Sequence, residues 1–162
     1  MTIKPIPDGY HSVTPYLAVK GAARALEFYD KAFGAKELFR LTEPSGKVGH
    51  AELRIGDSRI MITDEYPEMG AIGPESLGGS SVGLCVYVED VDASFERAVS
   101  AGARAFRPVK NQFYGDRTGM VIDPFGHKWT LATHIEDVAP EEVKKRMGNA
   151  AMEEFAKTET KR

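Results

Sequence analysis

Apolar and polar residues alternate in short stretches along this chain, and longer stretches between them have the spacing of an amphipathic helix. Residues 13–19 alternate with the period of two that is typical of a half-buried strand. Residues 21–33 instead place Ala22, Leu26 and Phe33 on one helical face, and Gly34 is the kind of residue that commonly ends a helix. Three further strand patterns follow, over residues 35–41, 47–55 and 59–63. The first half of the chain is therefore predicted to have the element order βαβββ.

The second half repeats this pattern at an offset of 69 residues, which slips to 68 between the helix and the strand after it. Its predicted elements are a strand over 82–88, a helix over 91–101, and strands over 104–109, 119–122 and 128–133. The closing hairpin turns at Asp123-Pro124-Phe125-Gly126, and its counterpart turns at Gly56-Asp57. Because separate segments agree on nearly one offset, we interpret the chain as a duplicated module. We predict an α+β fold of two tandem βαβββ modules, residues 10–64 and 82–137, whose curved mixed sheets surround a cavity.

Two segments have no counterpart in the repeat. Residues 65–81 are rich in Gly and Pro, which predicts a linker or a loop draped over a site. Residues 138–162 are predicted to form a helical extension, with an apolar stripe of Val143, Met147, Ala151 and Phe155 that Gly148 interrupts. Such a stripe favours an arm that packs on its own chain or on a partner subunit over a frayed tail.

Charge, apolar run length and cysteine count argue against several classes of function. The net charge is −3 and the Lys and Arg residues are dispersed, so no basic stripe for nucleic acid is present in the sequence. The longest apolar run, residues 82–88, is too short to span a membrane, and residues 1–9 lack the apolar core of a signal peptide, so we expect a cytoplasmic protein. The single cysteine, Cys85, excludes an internal disulfide and is interpreted as a packed strand residue rather than a nucleophile.

Several motifs resemble one superfamily of proteins. They are the paired βαβββ modules, Phe28-Tyr29 and Phe33-Gly34-Ala35 around the end of the first helix, and Asp123-Pro124-Phe125-Gly126 before the last strand. This combination resembles the vicinal oxygen chelate superfamily, which includes glyoxalase I, extradiol dioxygenases, fosfomycin-resistance enzymes and bleomycin-binding proteins. The stretches 14–17, 50–58 and 113–117 are similar to its PhnB-like branch. The resemblance implies the fold and a homodimer that binds a small molecule, but it does not define the chemistry.

The resemblance also implies where a metal would be held. In metal-dependent members each module gives one ligand from its first strand and one from its last, and these positions correspond to Thr14, Met61, Gly83 and Thr130 here. None of the four is His, Asp or Glu, the residues expected to hold a divalent ion at such a site. We therefore expect no cofactor and no glyoxalase-type metal, and a divalent metal at a non-standard site stays open.

Strand parity identifies the candidate chemistry. If Ala51, Leu53 and Ile55 face the helices, then His50, Glu52 and Arg54 face the cavity. His50 and Glu52 place a base and a carboxylate side by side, so they are the catalytic candidates for proton transfer, for holding a metal with solvent, or for hydrogen bonding to a ligand. The alternative is that these residues form an ion pair with only a structural role on a solvent-exposed face of the sheet.

The ligand-binding candidates are residues that strand alternation turns toward the cavity and residues of the loop that precedes the last hairpin. They are Thr14, Tyr16, Arg54, Met61, Tyr87, Tyr114, Arg117 and Thr130. Asp116-Arg117 is predicted to lie in a loop at the cavity mouth, either binding a ligand carboxylate or phosphonate or forming a solvent-exposed pair. The histidines at 11, 127 and 134 are interpreted as structural or solvated.

Two functions fit these residues. The first is a metal-independent protein that binds and sequesters a small, partly aromatic molecule. The second is a lyase or isomerase of the same fold that uses His50 and Glu52 for proton transfer, with or without a metal at a non-standard site.

Overall fold

The computed structural model describes residues 3–159, and side chains as far as residue 149. It contains two four-stranded mixed sheets, in an α+β arrangement. The elements of the first module are β1 (Tyr16–Val19), α1 (Ala22–Phe33), β2 (Lys36–Thr42), β3 (Val48–Ile55) and β4 (Ser58–Asp64). The remaining elements are α2 (Pro74–Leu77), β5 (Gly83–Tyr87), α3 (Val91–Ser100), β6 (Arg104–Asn111), β7 (Asp116–Ile122), β8 (Lys128–His134) and α4 (Pro140–Glu159).

The two sheets have the same topology, which confirms the predicted duplication and fold class. The strand order is β1-β4-β3-β2 in the first sheet and β5-β8-β7-β6 in the second. In each, the first strand runs parallel to the last, and the other neighbouring strands are antiparallel. The strands β1 and β5 are each at one edge of their sheet, so neither sheet closes into a barrel.

The first helix is fixed at its start by a residue from a distant strand. Gly21 has a left-handed backbone and supplies no capping side chain. Asp64, at the end of β4, takes that role because its Oδ1 accepts hydrogen bonds of 2.9 Å from the backbone N–H groups of Gly21 and Ala22. Its Oδ2 accepts a third, of 2.8 Å, from Val48 on β3. One buried carboxylate therefore holds α1 against the first sheet.

The two modules of the chain pack through α1, α3 and the β7–β8 turn. Asp123, in that turn, is 4% exposed, and its Oδ2 accepts hydrogen bonds from the Tyr29 hydroxyl on α1 at 2.7 Å and the Trp129 indole at 2.8 Å. Its Oδ1 accepts two more from the backbone N–H groups of Phe125 and His127. The buried core includes Tyr29 and Trp129 from different modules, so each module covers part of the other.

Several boundaries differ from those predicted, most of all in β1, β6 and β7. The strand β1 begins at Tyr16 rather than Val13, and Thr14 precedes it. Residues 116 and 117 were predicted as loop but are the first two residues of β7. This strand therefore starts at Asp116 rather than at Gly119, and it ends at Ile122. The strand β6 continues to Asn111. The 65–81 segment contains a 3₁₀ turn, Pro67–Met69, and the short α2, because prolines begin both turns and left-handed glycines end them.

The C-terminal extension is the helix α4, and Gly148 does not interrupt it. Arg146 ties it to the preceding segment through a bidentate pair with Glu136 at 2.8 Å. Of the predicted apolar stripe, Val143 is half-buried and Met147 is exposed, and the side chains of Ala151 and Phe155 lie outside the described residues. No helix in residues 3–159 is long and apolar enough to cross a membrane.

Candidate functional site

Each sheet has one face against the helices and one face that the chain leaves open. In the first sheet, Leu17, Val19, Ala51 and Leu53 are buried on the helix side. Tyr16 is on the opposite side and is 54% exposed. The cross-strand register sets Tyr16 beside Met61 and Met61 beside Glu52, so these residues share the open face. The alternation predicted for β3 is present, because His50, Glu52 and Arg54 are all on the less buried side.

A connected row of polar side chains crosses this open face. The Tyr16 hydroxyl lies 2.7 Å from His50 Nδ1, and His50 Nε2 lies 3.5 Å from Glu52 Oε1. Arg59 Nη1 then lies 3.4 Å from Glu52 Oε2. The side chains of His50, Glu52 and Arg59 are only 20–26% exposed, so this row is partly shielded from solvent. We call Tyr16, His50, Glu52 and Arg59 the first-sheet row.

Tyr10, from the segment before β1, completes this arrangement. Its ring lies 4.5 Å from the Arg59 guanidinium carbon, and its buried hydroxyl makes no hydrogen bond of good geometry within the described residues. The nearby Tyr10 hydroxyl is nonetheless the main influence that lowers the pKa of Glu52, followed by the interactions with His50 and Arg59. Glu52 is therefore a carboxylate at neutral pH. Burial raises the pKa of Tyr16, which keeps its hydroxyl protonated.

A cleft of about 950 Å³ adjoins the first-sheet row. Tyr16, Ala18, Gly49 and Thr63 of the open face line one side of it. The 65–81 segment lines the other, with Tyr66, Met69, Ile72 and Leu77 among its residues. Its volume is at the upper end of the range for small-molecule sites, and its walls are mostly apolar. The 65–81 segment, predicted as a linker or a loop draped over a site, thus forms one wall of this cleft.

Hydrogen bonds hold the covering segment in place. Glu65 accepts from the Gly73 backbone N–H at 2.7 Å and from the Ser76 hydroxyl at 3.0 Å. The Tyr66 hydroxyl donates to Glu43 at 2.7 Å, and this bond raises the pKa of Tyr66 to about 12. The bonds of Glu65 are therefore internal to the 65–81 segment, and the Tyr66–Glu43 bond joins this cleft wall to the residue that follows β2.

The open face of the second sheet carries a different polar cluster. Asp116 is 7% exposed; its Oδ2 accepts from the Tyr87 hydroxyl at 2.8 Å, and its Oδ1 lies 2.7 Å from His134 Nδ1. His134 Nε2 lies 3.0 Å from Asp137. The hydrogen bonds to Asp116 and then to Asp137 raise the pKa of His134. The hydrogen bond that the Tyr87 hydroxyl donates to Asp116 raises the pKa of Tyr87.

Cys85 and Thr130 face each other across β5 and β8 on this same side. Cys85 is exposed, not packed as predicted. Partial burial of its sulfur, followed by the charge of Asp116, raises the pKa of the thiol. A raised pKa disfavours the thiolate, so the interpretation of Cys85 as a non-nucleophile agrees with its surroundings.

The chain brings some of the predicted residues together and separates others. The first cleft includes Tyr16, whereas Thr14 and Tyr87 line a second cleft of about 940 Å³ between the modules. Tyr114 is exposed in the turn after β6. Arg117 lies on the helix side of β7, where it donates two hydrogen bonds to Asp92 of α3 at 2.7 and 2.8 Å. Its placement in a loop at the cavity mouth was wrong, and its guanidinium serves an ion pair within the second module.

Three residues of these clusters did not emerge as candidates from the sequence. Arg59 has the same parity as Met61, so strand alternation could have found it. Tyr10 could not be found in this way, because it precedes β1 and reaches Arg59 only through tertiary packing. His134 was interpreted as structural or solvated because it lies at a strand end, and its partner Asp116 was placed in a loop.

The comparisons with known proteins agree with this architecture. Residues 9–131 match the family model described as the Glyoxalase/Bleomycin resistance protein/Dioxygenase superfamily. The chain belongs to this superfamily. An uncharacterized protein of Mycobacterium tuberculosis is 43% identical over 141 residues, which cover 85% of this chain and 83% of that protein.

Solved structures of other proteins have the same fold. TioX from Micromonospora sp. ML1 has a TM-score of 0.61 at 28% identity, covering 77% of this chain and 99% of TioX. The PhnB protein from Bacillus cereus has a TM-score of 0.59 at 18% identity, covering 76% of this chain and 99% of that protein, and this likeness concerns the fold alone. The predicted likeness to a PhnB-like protein is thus confirmed at the level of structure.

The positions that the superfamily resemblance relates to metal ligands are Thr14, Met61, Gly83 and Thr130, and none of them is His, Asp or Glu. The register places Tyr16 beside Met61 and Cys85 beside Thr130 at the paired first and last strands. A phenol, a thioether, a protonated thiol and a hydroxyl are poor ligands for a divalent ion compared with imidazole and carboxylate. Among the described residues, no group of three His, Cys, Asp or Glu side chains has the geometry to hold a metal.

Proposed function

We propose that this protein binds a small, partly aromatic molecule on the open face of the first sheet and sequesters it. The observation that carries the proposal is the first-sheet row beside the cleft of about 950 Å³. The cleft offers mostly apolar walls, and Tyr16, the member of the first-sheet row that lines it, brings a hydroxyl whose direction is fixed by His50. The aromatic rings of Tyr16 and Phe39 flank His50, with centroid distances of 5.4 and 6.3 Å, and give a ligand ring surfaces to contact.

The proposal includes a homodimer. Both open faces leave large side chains in solvent, among them Leu41 at 55% and Tyr87 at 64% exposure. Exposed apolar surface of this kind favours association, and the unpaired edges of β1 and β5 favour it further. A second chain that faces its second sheet toward the first sheet of its partner would enclose the ligand with Tyr87, Thr130 and Met61 together.

A ligand screen by thermal shift tests the binding proposal. A panel of small aromatic molecules should include compounds that raise the melting temperature, since a ligand that prefers the folded state stabilises it by mass action. Tyr16→Ala and His50→Gln should abolish the shift, whereas Glu27→Gln, on the exposed face of α1, should retain it. Compounds whose shift is the same in all four proteins would contradict the proposed site.

The proposal also requires no metal. Protein purified without chelator should contain less than stoichiometric divalent metal by elemental analysis. A stoichiometric metal that His50→Ala loses would overturn this part of the proposal.

A second candidate function is proton transfer by His50, as in a lyase or isomerase. It is favoured by the 2.7 Å contact between Tyr16 and Nδ1, which orients the ring, while Nε2 has only a long contact with Glu52 and is free to approach a ligand. A compound found in the screen would then exchange a carbon-bound hydrogen for deuterium in heavy water. Exchange should disappear in His50→Gln, and an absence of exchange in the wild-type protein would rule against this function.

A further inference from the structure

The outer strand of the second sheet carries cations at every third position, Arg104, Arg107 and Lys110. In a regular strand, side chains three residues apart point to opposite faces. The strand β6 is not regular, because its pairing with β7 shifts register between Ala105 and Arg107 and again between Arg107 and Lys110. Each bulge inserts one residue and reverses the parity of the residues beyond it.

The register after these shifts places the three cations on one face. Arg104 lies opposite Ile122, Arg107 opposite Met120, and Lys110 opposite Thr118. Ile122, Met120 and Thr118 alternate along β7, so they share a face, and directly opposed residues share the face of their partners. Met120 lies opposite Thr130 of β8, which identifies this as the open face.

Lys128 joins the cations from the neighbouring strand. It lies opposite Ile122, in the same cross-strand row as Arg104. The charged groups of Arg104, Arg107 and Lys128 lie 6.0, 5.9 and 6.0 Å from the centroid of the Phe106 ring. They therefore surround one aromatic side chain, which is 45% exposed. We call Arg104, Phe106, Arg107 and Lys128 the β6 patch.

The cations of the β6 patch lack carboxylate partners. Among the side chains that the structure describes, Arg104, Arg107 and Lys128 make no ion pair and no hydrogen bond. Other arginines are paired, as Arg40 is with Glu37 at 2.7 Å. Asp116, a carboxylate in the next cross-strand row of β7, is already occupied by Tyr87 and His134. Three like charges around one ring repel each other, and a bound anion would relieve that repulsion.

We propose that the β6 patch binds the phosphate or phosphonate group of a small aromatic molecule. Two guanidinium forks and an ammonium group match a dianion with three terminal oxygens better than a single carboxylate. The exposed part of the Phe106 ring offers apolar contact to the aromatic part of the same molecule. The net charge of −3 argues against a nucleic-acid strand as the ligand, because the rest of the surface would repel it. Within one chain, this site and the cleft of the first sheet lie on different sheets.

Phenyl phosphate, inorganic phosphate and phenol distinguish the parts of this proposal. Titrations followed by two-dimensional NMR should show phenyl phosphate binding more tightly than inorganic phosphate, with shifts confined to residues near 104–107 and 128, and phenol should cause no shift there. In the double variant Arg104→Gln/Arg107→Gln, the affinity for phenyl phosphate should fall by about tenfold or more. Phe106→Leu should weaken phenyl phosphate but leave inorganic phosphate unchanged.

Arg40→Gln is the matched control, because Arg40 occupies the corresponding outer strand of the first sheet but is paired with Glu37. It should bind phenyl phosphate as the wild-type protein does. Equal affinities in the double variant and the wild type would overturn the proposal, as would tighter binding of a short single-stranded oligonucleotide through the same residues. If the double variant had a different oligomeric mass from the wild type but still bound phenyl phosphate, the patch would be a subunit contact instead.

Discussion

Tyr29→Phe tests how the two modules of one chain are joined. The hydroxyl of Tyr29 donates a 2.7 Å hydrogen bond to Asp123, and Tyr29 is fully buried. Burial, followed by the charge of Asp123, raises the pKa of Tyr29, so the hydroxyl is a donor at any ordinary pH. Removing a buried hydrogen bond to a carboxylate should lower the free energy of unfolding by about 2 kcal/mol. At a urea dependence of about 2 kcal/mol per molar, the unfolding midpoint falls by about 1 M.

Tyr66→Phe provides the control, because it removes the same hydroxyl from a 2.7 Å bond to a carboxylate that is exposed. Solvent replaces that bond, so the free energy of unfolding should stay close to that of the wild-type protein. Urea titrations at several protein concentrations separate folding from subunit association. If Tyr29→Phe and Tyr66→Phe shifted the midpoint equally, α1 of this chain would not be packed against its own second module.

Three further outcomes are expected. Asp64→Ala should lower the free energy of unfolding by about 3 kcal/mol in urea titrations, because Ala22, Val48 and a third backbone N–H lose their acceptor. The raised pKa of His134 means that its pair with Asp116 contributes most at low pH and is lost as pH rises through the folded-state pKa, so the difference in melting temperature between wild type and His134→Gln should shrink as the pH rises above the ordinary histidine pKa of about 6.5. Light scattering should give about twice the 17.8 kDa chain mass at micromolar concentration, and a monomer would contradict the proposed dimer.

Hydrophobic alternation predicted the strands and their buried sides because only one face of each sheet meets the helices. Ala51, Leu53 and Ile55 are buried as expected, and His50 and Glu52 are turned away from them. The contacts of the first-sheet row were beyond such reasoning. Whether Tyr16 reaches His50 depends on the order of strands in the sheet and on the register between them, and neither is determined by the alternation within one strand.

Irregular backbone accounts for the parts of the second module that were predicted less well. The bulges in β6 turn Arg104, Arg107 and Lys110 to one face, whereas simple alternation distributes them over both. Asp116 and Arg117 come directly after Gly115, which has a left-handed backbone and suggests a loop. The chain nevertheless enters β7 directly, since Gly115 accepts backbone hydrogen bonds from residues 135 and 136 that extend the ladder.

The two modules show which positions the fold constrains to apolar residues and which positions it leaves free to differ. On the helix side, residues related by the offset of 69 are apolar in both modules: Leu17 and Val86, Val19 and Val88, Ile60 and Trp129, and Ile62 and Leu131. On the open side the related residues differ in chemistry: Tyr16 and Cys85, Ala18 and Tyr87, and Met61 and Thr130. Burial against a helix constrains a position to apolar residues in either copy, whereas an open face imposes no such requirement. The open faces have diverged: one carries His50 and Glu52, and the other carries cations that make no ion pair among the described side chains. A cavity formed between unlike modules would therefore present a ligand with two different walls.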